Sequence, residues 1–178
     1  SGSGKSTLLN ILSSLLKPSI GSVVFKSKDI YSLKQNQLLK IRRDDFGIIF
    51  QAHYLFRGFS AIENLEIATL LSGEEIDKSL LKELNIDYVI NQGVGELSGG
   101  QQQRLSIARE KTKKPKIIFA DEPTGNLDKD TANIVMNTLF KYIKNNNAGL
   151  ILVTHEHELA NRCDKVYKLE DLTLQEIK

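Results

Sequence analysis

The sequence predicts an α/β fold in which helices cover a mainly parallel sheet. Three short apolar runs, at 48–50, 117–120 and 150–153, are rich in Ile, Leu, Val and Phe. Such runs are typical of strands that are buried on both faces. Segments with helical spacing separate them, and this alternation indicates strand–helix–strand units. None of the runs approaches the roughly 18 residues of a membrane-spanning helix.

The N-terminal part of the chain is expected to form a helix, two strands and a second helix. Leu8, Leu12, Leu15 and Leu16 recur at helical spacing, and Pro18 is expected to end the first helix. The elements expected next are a strand at 22–25, a helix at 33–41 and a strand at 46–50.

The segment from 60 to about 110 is predicted to be a small helical subdomain, because no strand pattern occurs in it. Ser60 and Glu63 have the spacing of a capping box, in which the two side chains bind orphan backbone amides at a helix start. Apolar residues at helical spacing predict a further helix at 76–84. The order expected from 116 onward is strand, loop, helix, strand, short helix and a last strand at 165–169.

Composition bounds the class of protein. A length of 178 residues fits a single domain, and 40% hydrophobic residues are enough for a sizeable core. The net charge of +2 is too balanced to indicate nucleic acid as a partner. Cys163 is the only cysteine, which excludes an internal disulfide and suits a reducing cytoplasm.

The first seven residues contain most of the phosphate-binding motif G-x-x-x-x-G-K-[ST]. They are Ser1, Gly2, Ser3, Gly4, Lys5, Ser6 and Thr7. Small residues let the backbone curl so that its amides point at phosphate oxygens, at the start of a helix. Lys5 is expected to reach the β- and γ-phosphates, and the Ser6 hydroxyl to bind Mg²⁺. The motif indicates a P-loop NTPase.

The position of this motif leads to an expectation about the N-terminus. The first glycine of the motif would fall two positions before Ser1, and the strand that normally precedes such a loop would lie there too. The chain is therefore expected to lack its N-terminal strands.

An apolar run that ends in two acidic residues has the pattern of a second nucleotide motif. Asp121 at the tip of the expected strand can hold Mg²⁺ through water. Glu122 can orient and deprotonate an attacking water molecule.

A glycine pair at an expected helix start indicates a ligand. The run consists of Leu97, Ser98, Gly99, Gly100 and Gln101. Each glycine inside a helix costs about 1 kcal/mol relative to Ala, and a simple cap does not need two of them. They are explained if the first helical turn closely approaches an anion.

Together these motifs resemble the full motif set of the ABC ATPases, and the resemblance covers essentially the whole chain. It implies a RecA-like core with the helical subdomain inserted. It also implies that Gln51 contacts Mg²⁺ and the attacking water, and that His155 contacts the γ-phosphate. The signature run at 97–101 would bind the nucleotide held by a second copy, and Asp128 would lie in the loop that crosses that interface.

Residues 121–128 resemble the branch that includes lipoprotein-releasing, macrolide-exporting and cell-division ATPases. Residues 50–55 and 59–64 are most similar to lipoprotein-releasing ATPases. One departure is Glu110-Lys-Thr, which stands where a small apolar stretch is more usual.

The resemblance implies an ATPase that uses ATP and Mg²⁺ and powers a membrane transporter. Its partners would be a second copy in an ATP-induced, head-to-tail homodimer and an integral membrane permease. That permease would hold it at the cytoplasmic face of the cell membrane. The alternatives are a cell-division-type regulatory ATPase without cargo and a soluble ABC ATPase of translation or DNA repair. The last would require a second nucleotide domain or a long coiled-coil insertion, and the sequence contains neither.

Overall fold

The structure is a computed structural model, and it describes residues 4–178. Its strands are β1 (Val24–Phe25), β2 (Lys28–Asp29), β3 (Phe46–Ile49), β4 (Ile117–Asp121), β5 (Gly149–Val153), β6 (Tyr167–Glu170) and β7 (Thr173–Glu176). Its α-helices are α1 (Lys5–Leu12), α2 (Gln35–Asp44), α3 (Ala61–Ser72), α4 (Lys78–Glu83), α5 (Gly99–Thr112), α6 (Lys129–Asn146) and α7 (His157–Ala160). Short 3-10 helices lie at Ile30–Ser32, Asp87–Val89 and Val94–Glu96.

The predicted parallel sheet is confirmed, with the strand order β3-β4-β5. Its register places Phe46 beside Ile117 and Ile117 beside Gly149. The helix α1 contacts β4 and β5, and α2 and α5 contact β3. Because the strands are parallel, their C-terminal ends lie at one edge of the sheet. The residues after Ile49, Asp121 and Val153 therefore emerge at that same edge.

The last predicted strand does not join this sheet. Instead, β6 pairs antiparallel with β7, and Glu170 lies opposite Thr173. The two residues between them, Asp171 and Leu172, have φ angles of 48° and 61°. Two consecutive left-handed residues form the tight turn that returns a strand on itself. The strand expected at 165–169 is therefore present as β6, but it pairs with β7 and not with β3, β4 or β5.

The first helix ends earlier than its leucine pattern predicts. It stops at Leu12, and Ser14 has a φ of 70°, which no helix continues through. The guanidinium of Arg42 holds this bend by donating to Ser14 Oγ at 2.8 Å and to the Ser14 carbonyl oxygen. Leu15 and Leu16 follow on the surface. Pro18 is therefore not the residue that ends the helix.

The chain between β3 and β4 forms α3, α4, α5 and two short 3-10 helices, and the described residues there contain no strand element. The Ser60–Glu63 capping box forms at the start of α3. One buried core runs from Leu65 on α3 through Leu105 on α5 to Ile118 on β4. No helix in residues 4–178 is long and apolar enough to cross a membrane.

Glu110 binds the outer edge of β3. Its carboxylate is buried and accepts from the Ile48 amide at 3.2 Å and from Lys113 Nζ at 2.9 Å. Lys113 Nζ also donates to the Phe46 carbonyl oxygen at 3.0 Å. Glu110, which replaces the apolar residue expected there, thus connects α5 to β3. In the described residues β3 is an edge strand of the parallel sheet.

Replacing Glu110 by Ala should lower the free energy of unfolding by about 1–3 kcal/mol, the usual cost of leaving buried polar groups without partners. The Ile48 amide would lose its side-chain acceptor, and the Lys113 ammonium would lose its ion-pair partner while it keeps the Phe46 carbonyl oxygen. Urea unfolding measures the change. The control is Lys114→Ala, which removes an exposed ion pair with Glu74 and should change little. Equal unfolding midpoints for both variants would contradict the role given to Glu110.

Candidate functional site

Glu122 and His155 meet where β4 and β5 end. His155 Nδ1 lies 2.9 Å from Glu122 Oε1. The Glu122 side chain is 15% exposed and that of His155 is 73% exposed. The Glu122 amide donates to the Val153 carbonyl oxygen at 2.9 Å, which continues the strand pairing by one residue. The sheet therefore fixes the backbone of the carboxylate, and the imidazole faces solvent.

Gln51 follows β3 and lies beside the same turn. A Cβ atom added to Gly125 would be 3.8 Å from Gln51 Nε2 and 3.5 Å from the Glu122 carbonyl oxygen. The structure therefore brings together all three residues expected to be catalytic, Gln51, Glu122 and His155. They come from three neighbouring strand ends, as the parallel sheet requires.

The N-terminus of α1 lies next to this edge. Gly4 precedes the helix with a φ of 90°, a conformation that costs glycine little, and the Leu8 amide donates to its carbonyl oxygen. Lys5 lies close enough to His155 for its positive charge to act on the imidazole. Ser6 and Thr7 occupy the first turn of α1. The expected phosphate contacts of Ser1, Gly2 and Ser3 fall outside the described residues.

The expected magnesium ligands form a set of hard oxygen donors. Asp121 ends β4, Ser6 lies on the helix that contacts β4, and Gln51 follows the adjacent strand. Residues 4–178 contain no group of three or more His, Cys, Asp or Glu side chains that could hold a metal. One carboxylate with a hydroxyl and an amide suits Mg²⁺, which is usually completed by water and substrate phosphates. The residues present fit that ion.

The glycine-rich signature run begins α5. Ser98 is the N-cap: its Oγ accepts from the Gln101 amide at 3.2 Å, and its own amide donates to Gln101 Oε1 at 2.7 Å. Leu97 is buried just before it. A Cβ on Gly99 would meet nothing within 4 Å, and one on Gly100 would come 3.4 Å from the Leu127 side chain. Ser98 is thus a helix cap. Crowding by the described residues does not explain why position 99 is a glycine.

The signature run makes no hydrogen bond to the side chains of Glu122 or His155 among the described residues. Instead, Gln101 Nε2 donates to Tyr88 Oη at 3.2 Å.

Asp128 caps the next helix. Its Oδ1 accepts from the Thr131 amide at 3.0 Å, and the exposed side chain lies at the start of α6. Hydrogen bonding from the Thr131 side chain and amide lowers the pKa of this carboxyl. The cap explains the residue type locally, and its expected place at a dimer interface stays a prediction.

Two polar contacts around the Glu122 turn, one part-buried and one buried, were not foreseen. Thr124 Oγ1 donates to Glu156 Oε1 at 2.9 Å and ties the turn after β4 to the turn after β5. Gln103 Nε2 donates to the Pro123 carbonyl oxygen at 2.9 Å. The sequence offers three consecutive glutamines, at 101–103, and nothing in their spacing singles out the buried one.

The pKa of His155 is raised above its usual value. Hydrogen bonding to Glu122 is the largest cause, followed by the charge of that carboxylate; the positive charge of Lys5 acts in the opposite direction. Because the fold favours the protonated imidazole, the pair stabilises the protein below the usual histidine pKa. That contribution is lost as the pH rises through the raised value.

Replacing Glu122 by Gln should therefore lower the pKa of His155 towards its usual value. NMR titration of the imidazole protons measures the shift. Glu158→Gln is the matched control, because Glu158 is exposed on α7 and forms no hydrogen bond or ion pair with His155 within residues 4–178. An unchanged His155 midpoint in the Glu122→Gln protein would contradict the pairing.

Comparison with known proteins gives one consistent family. The family model described as "ABC transporter" matches residues 1–125. The lipoprotein-releasing system ATP-binding protein LolD of Rickettsia bellii is 47% identical over 176 residues, covering 96% of this chain and 77% of the relative. LolD of Treponema denticola is 39% identical over 183 residues, covering 99% of this chain and 81% of the relative.

Two solved structures are similar throughout the fold. The ATP-binding cassette MJ0796, in a dimeric post-hydrolysis state bound to ADP and Pi, has a TM-score of 0.89 and 33% identity, covering 99% of this chain and 82% of the other. A second dimeric structure of MJ0796, described as a bacterial ABC transporter cassette, has a TM-score of 0.87 and 34% identity, covering 100% and 82%.

Proposed function

This chain belongs to the ABC transporter family of ATP-binding proteins, and from that premise we propose that its ATP hydrolysis drives lipoprotein release. As a member of this family it is an ATPase that powers transport. The named LolD relatives are up to 47% identical to this chain along nearly its whole length. This similarity supports the proposal that the chain acts in a lipoprotein-releasing system. The proposed partner is an integral membrane permease. The permease would hold this chain at the cytoplasmic face of the membrane.

The pair formed by Glu122 and His155 carries the chemical part of the proposal. A water molecule attacks the γ-phosphorus and gives its proton to the Glu122 carboxylate, while the bond from the γ-phosphorus to the β,γ-bridging oxygen breaks. Within residues 4–178 the buried Glu122 Oε2 accepts no hydrogen bond, which leaves its lone pairs for that water. His155 Nδ1 lies 2.9 Å from the other carboxylate oxygen, and the imidazole would contact the γ-phosphate. Gln51 orients the water from the neighbouring strand end.

Nucleotide binding is proposed for the start of α1. Gly4, Lys5, Ser6 and Thr7 present backbone amides, an ammonium group and hydroxyls, and the positive end of the helix dipole favours phosphate. Ser6, Gln51 and Asp121 would hold Mg²⁺, whose charge would offset that of the β- and γ-phosphates. Ser1, Gly2 and Ser3 are proposed to belong to the same loop.

The functional unit is proposed to be a head-to-tail homodimer closed by ATP. Ser98, Gly99 and Gly100 would bind the γ-phosphate held by the partner, with Leu97 and Gln101 supporting that turn and Asp128 at the interface. The open space around Gly99 supports this arrangement, because a Cβ added there would meet nothing within 4 Å in the described residues beyond its own helical turn, so the position can be approached from outside. The dimeric MJ0796 structures support it as well.

The test uses the full natural protein and its membrane partner in lipid vesicles that hold a lipid-anchored protein. We expect MgATP to release the anchored protein to an acceptor in solution, and the Glu122→Gln protein to release none. ATP hydrolysis without release would contradict the lipoprotein-releasing role and favour the regulatory alternative.

A further inference from the structure

The turn that carries Glu122 has an unusual backbone. Glu122 has a φ of 45°, in the left-handed region that residues with side chains rarely adopt. Pro123 follows directly, and its ring restricts the next φ. The Gly125 amide closes the turn by donating to the Glu122 carbonyl oxygen at 3.1 Å. A residue in this conformation persists when the surrounding structure holds it there.

Gln103 supplies such a contact from α5. Its side chain is 2% exposed, and its Nε2 donates to the Pro123 carbonyl oxygen at 2.9 Å. A carbonyl oxygen only accepts hydrogen bonds, so the nitrogen of the amide must face it. The contact joins a long helix to the residue next to Glu122.

The oxygen of the Gln103 side-chain amide helps to identify the contact that requires an amide at this position. Gln103 Oε1 is buried, and no donor contacts it in the described part of the chain. A methionine would fill similar space without burying an unpaired oxygen, which is unfavourable. The amide nitrogen of Gln103 is the atom that makes a hydrogen bond. Its contact with the Pro123 carbonyl oxygen therefore explains why position 103 has an amide side chain.

We propose that Gln103 is a positioning residue for Glu122, because its hydrogen bond to the Pro123 carbonyl fixes the turn after β4. The inference rests on the proposed role of Glu122 as the base. Because the turn is fixed, Glu122 Oε1 stays 2.9 Å from His155 Nδ1, and the carboxylate keeps its orientation. Gln103 contacts Pro123 and acts on Glu122 only through the turn.

The experiment compares Gln103→Met with Ser106→Ala in the full natural protein. Methionine keeps the length of the side chain and removes the donor. Ser106 lies one turn further along α5, and its buried hydroxyl has no protein partner in the described residues, so its removal is the matched control. Steady-state ATP hydrolysis, thermal unfolding and NMR titration of His155 are measured for both. Gln103→Asn, which keeps an amide that is one methylene too short, replaces Gln103→Met if the latter does not fold.

We expect Gln103→Met to lower kcat roughly 10- to 100-fold, since small displacements of a reacting group have effects of that size. The KM for ATP should stay within about twofold, because the phosphate contacts are unchanged. The His155 midpoint should move towards its usual value, and Ser106→Ala should show neither effect. A purely structural role would lower the unfolding temperature and leave the His155 midpoint in place.

The proposal is overturned if the Gln103 variant keeps kcat within about twofold and the His155 midpoint of the unaltered protein. Absence of ATP hydrolysis in the unaltered protein would instead contradict the proposed function. In that case the titration of His155 still decides whether Gln103 positions Glu122.

Discussion

The Glu122→Gln protein should bind ATP but hydrolyse it about 10²- to 10⁴-fold more slowly than the unaltered protein, the range that a placed general base contributes. The substitution keeps the size of the side chain and removes its ability to accept a proton. The start of α1 is unchanged, so ATP binding is retained. Phosphate release measures turnover, and calorimetry measures binding.

The control for this prediction is the same substitution at an exposed neighbour of His155. Glu158→Gln removes one negative charge from α7 without touching the strand ends, and its turnover should match that of the unaltered protein. If the Glu122→Gln protein hydrolysed ATP within a few-fold of the unaltered rate, the assignment of Glu122 as general base would be wrong.

Replacing Ser98 by Arg should abolish ATP hydrolysis while leaving ATP binding intact. Arginine places a long side chain over the open first turn of α5, where the phosphate of the partner's ATP is proposed to arrive. Each hydrogen bond to such a charged group is worth roughly 1.5–3 kcal/mol, and blocking the turn removes several. Turnover and calorimetry on the same protein separate loss of the shared site from loss of nucleotide affinity.

Ser60→Arg is the matched control, because Ser60 and Ser98 are both helix caps within capping boxes. Loss of such a cap typically costs about 0.5–2 kcal/mol of stability. If capping were the whole role of Ser98, both variants would lose similar stability and keep ATP hydrolysis. Equal hydrolysis by the two variants would therefore contradict the proposed trans contact.

The sequence predicted those parts of the fold and site that depend on short local patterns. The apolar runs before Gln51, Glu122 and His155 form parallel strands, so their ends bring the three side chains together. The capping box at Ser60 forms as expected, because it needs only residues three positions apart, and Ser98 and Gln101 form a second box with the same spacing.

The parts that were missed depend on contacts between distant residues or on unusual backbone angles. The bend at Ser14 is held by Arg42, which lies 28 positions away. The turn between β6 and β7 uses Asp171 and Leu172, of which leucine rarely adopts a positive φ. The contact of Gln103 with Pro123 spans 20 positions, and tertiary packing alone selects it from three consecutive glutamines.

Light scattering of the full protein with the Glu122→Gln substitution tests most directly whether ATP causes two copies to form the catalytic dimer. The mass should double with MgATP and stay that of one chain with MgADP or without nucleotide, because ADP lacks the γ-phosphate that Ser98 and Gly100 are proposed to bind. Adding Ser98→Arg should return the MgATP sample to a single chain. A dimer that forms regardless of nucleotide, or that persists with Ser98→Arg, would contradict the ATP-closed, head-to-tail dimer.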